Sequence, residues 1–359
     1  MVLNTLAGKT PAKAAAHAPH ARQVKSLRRV LVMVKETYFE QVSKRGDKAQ
    51  LAEIANQAPG VQNVARSHEQ HLQTLKVVKD ALSKRGIQFE EVREIADFTG
   101  NLDEIDLIVS VGGDGTFLRV SHEVIGTTPV LGVNSAPITS FGHFCRTDCN
   151  GFPKTLDAII DGTITPIRLL RLELTLNGVP LPELVLNEVL VAHSHPAGTS
   201  RYQIAVNGEQ AEHKGSGLLI AAPSGSTGFL RSEGGAVLPI TARAFSYLKR
   251  APFLGLFERG RLLRGSVAEG GRIAITSNMQ AGKLFVDGEH IEYDFPRGAR
   301  LEVRVAGADL VAYVHPGCHS PYQMEATLLR LPLPRFISAP LAAVFTRISK
   351  QLSCIGENR

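Results

Sequence analysis

The chain has 359 residues, 43% of them hydrophobic and 21% charged. That is the balance of a globular protein long enough for two domains, and it excludes a mostly disordered chain. No apolar run approaches the roughly 18 residues of a membrane span, and the lack of Trp with 6% aromatics argues against stacking platforms for single-stranded nucleic acid.

The net charge of +6 is concentrated at one end. Residues 1–35 carry Lys9, Lys13, Arg22, Lys25, Arg28, Arg29 and Lys35 and no acid; without these 7, the remaining 33 basic residues face 34 acids, a balance of −1. The body is neutral, so neither nucleic acid nor a membrane surface is implied as a partner. Four cysteines (Cys145, Cys149, Cys318, Cys354) do not form a disulfide framework at this length and point to a reducing compartment, the cytoplasm. Residues 1–27 are Ala-rich, basic and broken by Pro11 and Pro19. They read as a disordered leader dispensable for chemistry; a mitochondrial transit peptide is the alternative.

In chain order, Arg28–Val34 is a short apolar run and a first strand. Residues 38–56 are polar with scattered apolar positions. Residues 71–86 have helical spacing, with Leu72, Leu75, Val78 and Leu82 on one face and Gly86 as a stop. Phe89–Ile95 reads as a strand. Asp106–Val111 is nearly continuous apolar, the pattern of a parallel strand covered on both sides. A helix from Thr116 and a strand at Val130–Val133 complete a βαβ unit. Beyond about residue 165 the runs 168–176, 184–192, 201–206, 217–222, 272–277, 283–287 and 300–314 are short and strand-like, punctuated by Asn177-Gly178 and Asn207-Gly208. The expected architecture is therefore an α/β, Rossmann-like domain at 28–165, a β-rich domain at 166–315, and a Pro-rich segment at 316–359 that packs back on the first domain.

Gly112-Gly113-Asp114-Gly115-Thr116 follows an apolar strand and opens a helix. Glycines let the backbone approach a ligand closely, and amides at a helix N-terminus favour phosphate. An acid in such a turn repels phosphate, so its presence points to a metal partner or a proton acceptor. The bland alternative is a tight turn capped by Thr116, with an exposed carboxylate of little weight for stability. Pro223-Ser224-Gly225-Ser226-Thr227-Gly228 is a second turn rich in hydroxyls and free amides, suited to phosphate or ribose or simply to a β-turn. Asn187-Glu188 interrupts the apolar run Leu184–Ala192, which requires either an internal hydrogen-bond network or a ligand with hydroxyls. His193-x-His195, His315-Pro-Gly-Cys318-His319 and Cys145-x-x-x-Cys149 match no zinc spacing and read as loop or packing residues, so no metal ligands are expected. Walker A, GxSxG and intact GxGxxG motifs are absent.

The order GGDGT, Asn-Glu, then a GST turn with a trailing Gly-Gly resembles the NAD kinase family from about residue 28 to 315. VGGDGTFLRVSH (111–122), PVLGVNS (129–135), GHFC (142–145), LNEVLVAHSHPAGTSRY (186–202) and KGSGL (214–218) resemble the branch that includes organellar NADH kinases. The resemblance implies phosphoryl transfer from ATP, with Mg²⁺ or another divalent cation, to the 2′-hydroxyl of the adenosine ribose of NAD or NADH. It implies Asp114 as proton acceptor and Gly113, Gly115 and Thr116 as the phosphate turn, with Asn134 nearby. Asn187 and Glu188 would hold nucleotide hydroxyls or the nicotinamide end, and Lys214 would contact the dinucleotide. Thr227, Gly228 and Ser232 would embrace the nucleotide. It also implies a homo-oligomer, dimer or tetramer. Ser216 stands where widespread members have Asp, Phe229 where they have Tyr, and Ser-Ala-Pro follows Asn134 without the usual Arg; these differences bear on the choice between oxidised and reduced dinucleotide. The rival readings are a diacylglycerol-type lipid kinase sharing the GGDGT turn and a non-catalytic dinucleotide-binding regulator.

Overall fold

The computed structural model describes residues 27–254 and 260–319, together with Tyr322; the leader and most of the Pro-rich terminal segment lie outside the described residues. Strand β1 (Arg29–Val34) alternates between two cores, with Val30, Val32 and Val34 in one and Leu31 and Met33 in the other. This is why its sequence is an unbroken apolar run. Residues 38–56 form two short helices, α1 (Tyr38–Arg45) and α2 (Lys48–Ala55), the first started by a Thr37–Glu40 capping box. Helix α3 (Val64–Lys84) begins earlier than its spacing predicts, and Gly86 takes the left-handed conformation at its end. Its buried stripe is His71, Thr74, Val78, Ala81 and Leu82, whereas Leu72 is exposed, contrary to expectation. The stripe is partly polar because His71 and Thr74 bond to Ser135 in a loop beyond the sheet.

Strands β2 (Gln88–Val92) and β3 (Leu107–Gly112), helix α4 (Asp114–Glu123), strands β4 (Val130–Asn134) and β5 (Cys145–Asp148), helix α5 (Phe152–Ile160) and β6 (Ile167–Leu169) complete the first half. Of these, α4 packs on one face of the sheet, and α3 and α5 on the other.

The second half is nearly all strand: β7 (Leu172–Leu176), β8 (Val179–Pro180), β9 (Glu188–His193), β10 (Ser200–Val206), β11 (Glu209–Gly215) and β12 (Leu218–Ala221). After the short helix α6 (Phe229–Ser232) come β13 (Ala244–Lys249), β14 (Arg264–Ala268), β15 (Arg272–Ser277), β16 (Gly282–Val286), β17 (Ile291–Asp294), β18 (Arg300–Val305) and β19 (Leu310–Ala312). They form two six-stranded antiparallel sheets, β11-β10-β15-β18-β7-β8 and β14-β13-β12-β9-β16-β17. Both sheets contribute to one core, Leu172, Ile204, Ile275 and Val303 from the first and Val189, Ile220, Phe245 and Val286 from the second. Two Asn-Gly hairpins turn through φ of 52° and 85° at Asn177-Gly178 and 50° and 85° at Asn207-Gly208, as the favoured two-residue turns require.

The first sheet runs β2-β1-β3-β4-β19-β6, with β5 beside β4. Strands β6 and β19 thus belong to the first sheet although they fall inside 166–315, so the expected boundary at 165 is not a clean one. The run 168–176 divides at Leu170-Arg171, and 300–314 divides between β18 and β19, because the chain passes between the sheets there. Arg171 marks one crossing. It is fully buried and donates to the carbonyls of Ser121 and Val124 (both 2.7 Å), Ala308 (3.1 Å) and Asp309 (3.3 Å). Burial lowers its pKa to about 10, so it stays charged at neutral pH and caps the negative end of α4.

Candidate active site

The order β2-β1-β3 makes a topological switch. The chain leaves β1 toward one side and returns on the other, so a crevice opens beyond the carboxyl ends of β1 and β3. The GGDGT turn stands at this edge. Helix α4 starts at Asp114 with Gly113 as its cap, not at Thr116, which is buried in the first turn. The two leading glycines are sterically required. A Cβ on Gly112 would lie 2.1 Å from Thr116 Oγ1, and one on Gly113 would lie 2.4 Å from Ser140 Oγ. Nothing lies within 4 Å of a Cβ on Gly115, which is exposed.

Asp114 is not the freely exposed carboxylate that a turn position suggests. It is half-buried, and its two oxygens accept from the main-chain amides of His143 (2.9 Å) and Phe144 (2.8 Å). The acid therefore positions the 135–144 loop as well as facing the turn. Asn134 shapes the same loop: its Nδ2 donates to the Ser140 carbonyl (3.0 Å), and its Oδ1 accepts from the Ala136 amide (3.3 Å). Gly142, at φ 69°, passes so close to Asn134 that a Cβ would lie 2.5 Å from Nδ2. Lys35, directly after β1, is half-buried, and burial lowers its pKa. It lines a cavity of about 480 Å³ with Thr37, Asn63, Ser67, His68 and Thr139. Cys145 is within electrostatic reach of both Lys35 and Asp114, and burial pushes its thiol far up.

Across the crevice stand residues of the second half. Asn187 precedes β9 and Glu188 opens it, so the pair stands at a strand start and does not interrupt a strand as the sequence suggests; both side chains are half-buried. The turn is held by Asp287, which sequence reasoning missed. Its fully buried carboxylate accepts from the amides of Leu186 (2.8 Å), Asn187 (2.7 Å) and Glu188 (3.0 Å), and it pairs with His122 Nε2 of α4 (2.8 Å). The signal in the sequence is the Asp287-Gly288 dipeptide that ends the strand-like run 283–287, where Asp287 itself takes φ 49°. Oε2 of Glu188 is buried without a hydrogen-bond partner. Burial, and next the charge of Asp287, raise its pKa to about 7.

The Pro223–Gly228 turn packs on this pair. A Cβ on Gly225 would lie 2.2 Å from the Asn187 carbonyl, and Ser224 Oγ donates to the Leu186 carbonyl. Thr227 Oγ1 lies 3.4 Å from His143 Nε2, which joins the turn to the loop that Asp114 holds. Gly228 and Ser232 are exposed, and Ser232 Oγ donates back to the Phe229 carbonyl. Asp114, Gly113, Thr116, Asn134, Asn187, Glu188 and Thr227 thus form one connected cluster. Lys214 and Ser216 are exposed at the end of β11 and, among the described residues, make no side-chain hydrogen bond to that cluster. Ser216 connects to the far side of it: its amide donates to the Arg250 carbonyl (3.0 Å), and the Arg250 guanidinium covers Phe229 at 4.6 Å. His193 and His195 accept from nearby amides in their own loop and do not converge.

The family model for the ATP-NAD kinase N-terminal domain matches residues 19–164. A probable NADH kinase of Oryza sativa subsp. japonica is 34% identical over 254 residues, covering 65% of this chain and 78% of the relative. The chain belongs to the NAD kinase family. The family assignment sets aside the diacylglycerol-type reading of the GGDGT turn. The NADH kinase of Arabidopsis thaliana is 27% identical over 264 residues, covering 65% of this chain and 80% of its own. Among solved structures, yeast NADH kinase complexed with NADH superposes on this NAD kinase family member with a TM-score of 0.62 at 17% identity, covering 87% of this chain and 91% of that one. An NAD kinase from Archaeoglobus fulgidus in complex with ATP gives 0.59 at 21% identity, covering 83% and 98%. These two likenesses establish the fold: an α/β first half and a β-rich second half.

Proposed function

We propose that the protein is an ATP-dependent NAD/NADH kinase that transfers the terminal phosphoryl group of ATP to the 2′-hydroxyl of the adenosine ribose. The observation that carries this is the placement of Asp114. A single carboxylate, oriented by two main-chain amides, stands at a helix start on the crevice edge of the sheet. A ribose hydroxyl must lose its proton as the phosphoryl group arrives, and Asp114 accepts it. The open helix start at Gly113–Gly115 receives phosphate oxygens, and Lys35 supplies positive charge on the neighbouring strand end. The donor set suits Mg²⁺, which is commonly held by one or two carboxylates with substrate phosphates; Asp114 would hold it, and the ion screens the phosphate charge when bound. Asn187 and Glu188 hold nucleotide hydroxyls, Thr227, Gly228 and Ser232 close over the nucleotide, and Lys214 reaches the dinucleotide from the end of β11. Positioning and charge neutralisation supply most of the rate enhancement.

We assign the enzyme to the cytoplasm, on its four cysteines without a disulfide framework, and to a homo-oligomeric state. The direct test is a kinase assay on purified protein with NAD and NADH in parallel, detecting the 2′-phosphorylated product. Bound dinucleotide without turnover would instead mark a regulator.

The unpartnered oxygen of Glu188 yields a pH prediction. Below about 4.5 the group is protonated both folded and unfolded; between about 4.5 and 7 only the folded form keeps the proton. Stability of the free protein therefore falls as pH rises through that window. Glu188→Gln should remove the slope and stabilise the free protein at pH 8 by about 3 kcal/mol, while raising the dinucleotide KM several-fold because a charged acceptor is lost. Denaturant melts at pH 5 and pH 8 check the first part; equal slopes in the two proteins would refute it.

Ser216 is exposed at the end of β11, close in sequence to Lys214. A carboxylate there attracts the positive nicotinamide of NAD over neutral NADH. Ser216→Asp should shift the ratio of kcat/KM toward NAD, and an unchanged or reversed ratio removes position 216 from substrate choice.

A further inference from the structure

We propose that His143, Cys318 and His319 form a binding site for a divalent cation of the zinc class, which clamps the 316–319 segment onto the loop that holds Asp114. The three residues offer two imidazole nitrogens and one sulfur, and these donor atoms all lie within 4.8 Å of one another. The two Nε2 atoms are 3.1 Å apart across 176 residues of chain. Zinc–nitrogen bonds of about 2.0–2.1 Å in a tetrahedral site place two nitrogens about 3.3 Å apart, so the pair already spans one edge of such a site.

The proton position of His319 suits a ligand role. Nδ1 of His319 lies 2.7 Å from the Leu238 carbonyl. A carbonyl only accepts, so Nδ1 carries the proton and Nε2 presents a bare lone pair to His143. Metal-ligating histidines are characteristically fixed in this way by a backbone carbonyl behind them. His319 is 1% exposed, so its ring is fixed within the fold.

Nitrogen and sulfur donors suit zinc-class ions, whereas Mg²⁺ requires oxygen. The site is therefore chemically distinct from the cation that accompanies ATP. Three protein donors leave a fourth position for water or another small ligand. The location gives the clamp a consequence: the His143 amide donates to Asp114, and Nε2 of the same residue lies 3.4 Å from Thr227 Oγ1. A cation here fixes the loop, the GST turn and the 316–319 segment together.

The test uses full-length protein stripped with a chelator and titrated with Co²⁺, then Zn²⁺. One equivalent of Co²⁺ should bind, giving a thiolate-to-cobalt charge-transfer band and the intense visible bands of a four-coordinate ion, both erased by Zn²⁺ and untouched by excess Mg²⁺. Cys318→Ser exchanges one atom at a half-buried position and should abolish the charge-transfer band in a folded protein. His319→Gln should weaken Zn²⁺ binding by more than the roughly 10–100-fold that loss of an outer partner costs. Absence of stoichiometric uptake overturns the proposal. Uptake with an unchanged spectrum in Cys318→Ser also overturns it, since the metal then sits on other residues.

Discussion

Asp114→Asn should lower kcat by about 10²–10⁴, the usual cost of losing a general base. The substitution keeps the side chain's size and one carbonyl oxygen but removes the proton acceptor at the crevice edge. Dinucleotide affinity, measured by calorimetry, should change far less than kcat. The structure adds a second effect that the turn position alone conceals. One carboxylate oxygen becomes an amide NH₂ facing a main-chain amide, donor against donor, at His143 or Phe144. Leaving such a group unsatisfied costs about 1–3 kcal/mol, so the melting temperature should also drop. Asn134→Ala separates the two effects. It loosens the same loop through Ser140 and Ala136 and leaves the acid in place. If it loses as much kcat as Asp114→Asn, loop geometry rather than proton transfer explains the first result. Near-wild-type turnover in Asp114→Asn would mean that the proton leaves by another route.

The parts of this fold legible in sequence are those dictated by short-range patterns. The apolar runs of β1 and β3 reveal a sheet buried on both faces, and Asn177-Gly178 and Asn207-Gly208 announce their hairpins. The GGDGT turn is legible for the same reason: its glycines answer to atoms within the turn or its neighbouring loop. What escapes is set by contacts distant in sequence. Leu72 fits the helical period yet is exposed, because α3 spends its inner face on His71 and Thr74, which bond to Ser135. The join of β6 and β19 to the first sheet depends on a crossing that Arg171 seals with four carbonyls from two remote segments. His143 and His319 carry no shared spacing, so their approach is invisible until the chain is folded. Asp287 is the largest omission among the residues around the crevice, since an Asp-Gly pair reads as an ordinary turn.

Asp287→Ala should destabilise the protein by several kcal/mol, since each buried donor left without an acceptor costs about 1–3 kcal/mol. The carboxylate has no exposed surface. Its removal strands the amides of Leu186, Asn187 and Glu188 and leaves His122 facing a void. A shift of the urea midpoint at unchanged slope would register this as lost stability rather than a changed unfolded state; a loss below about 1 kcal/mol would show that water replaces the carboxylate without penalty. Asp287→Asn discriminates further. It keeps one acceptor and much of the volume but removes the charge that, after burial, holds the Glu188 pKa up. The titration of Glu188 should therefore move down toward the ordinary carboxylate range in Asp287→Asn, and the pH window of the Glu188-linked stability slope should narrow from its upper end. If the slope keeps its upper limit near pH 7, burial alone accounts for Glu188, and Asp287 acts only as a clamp on the turn.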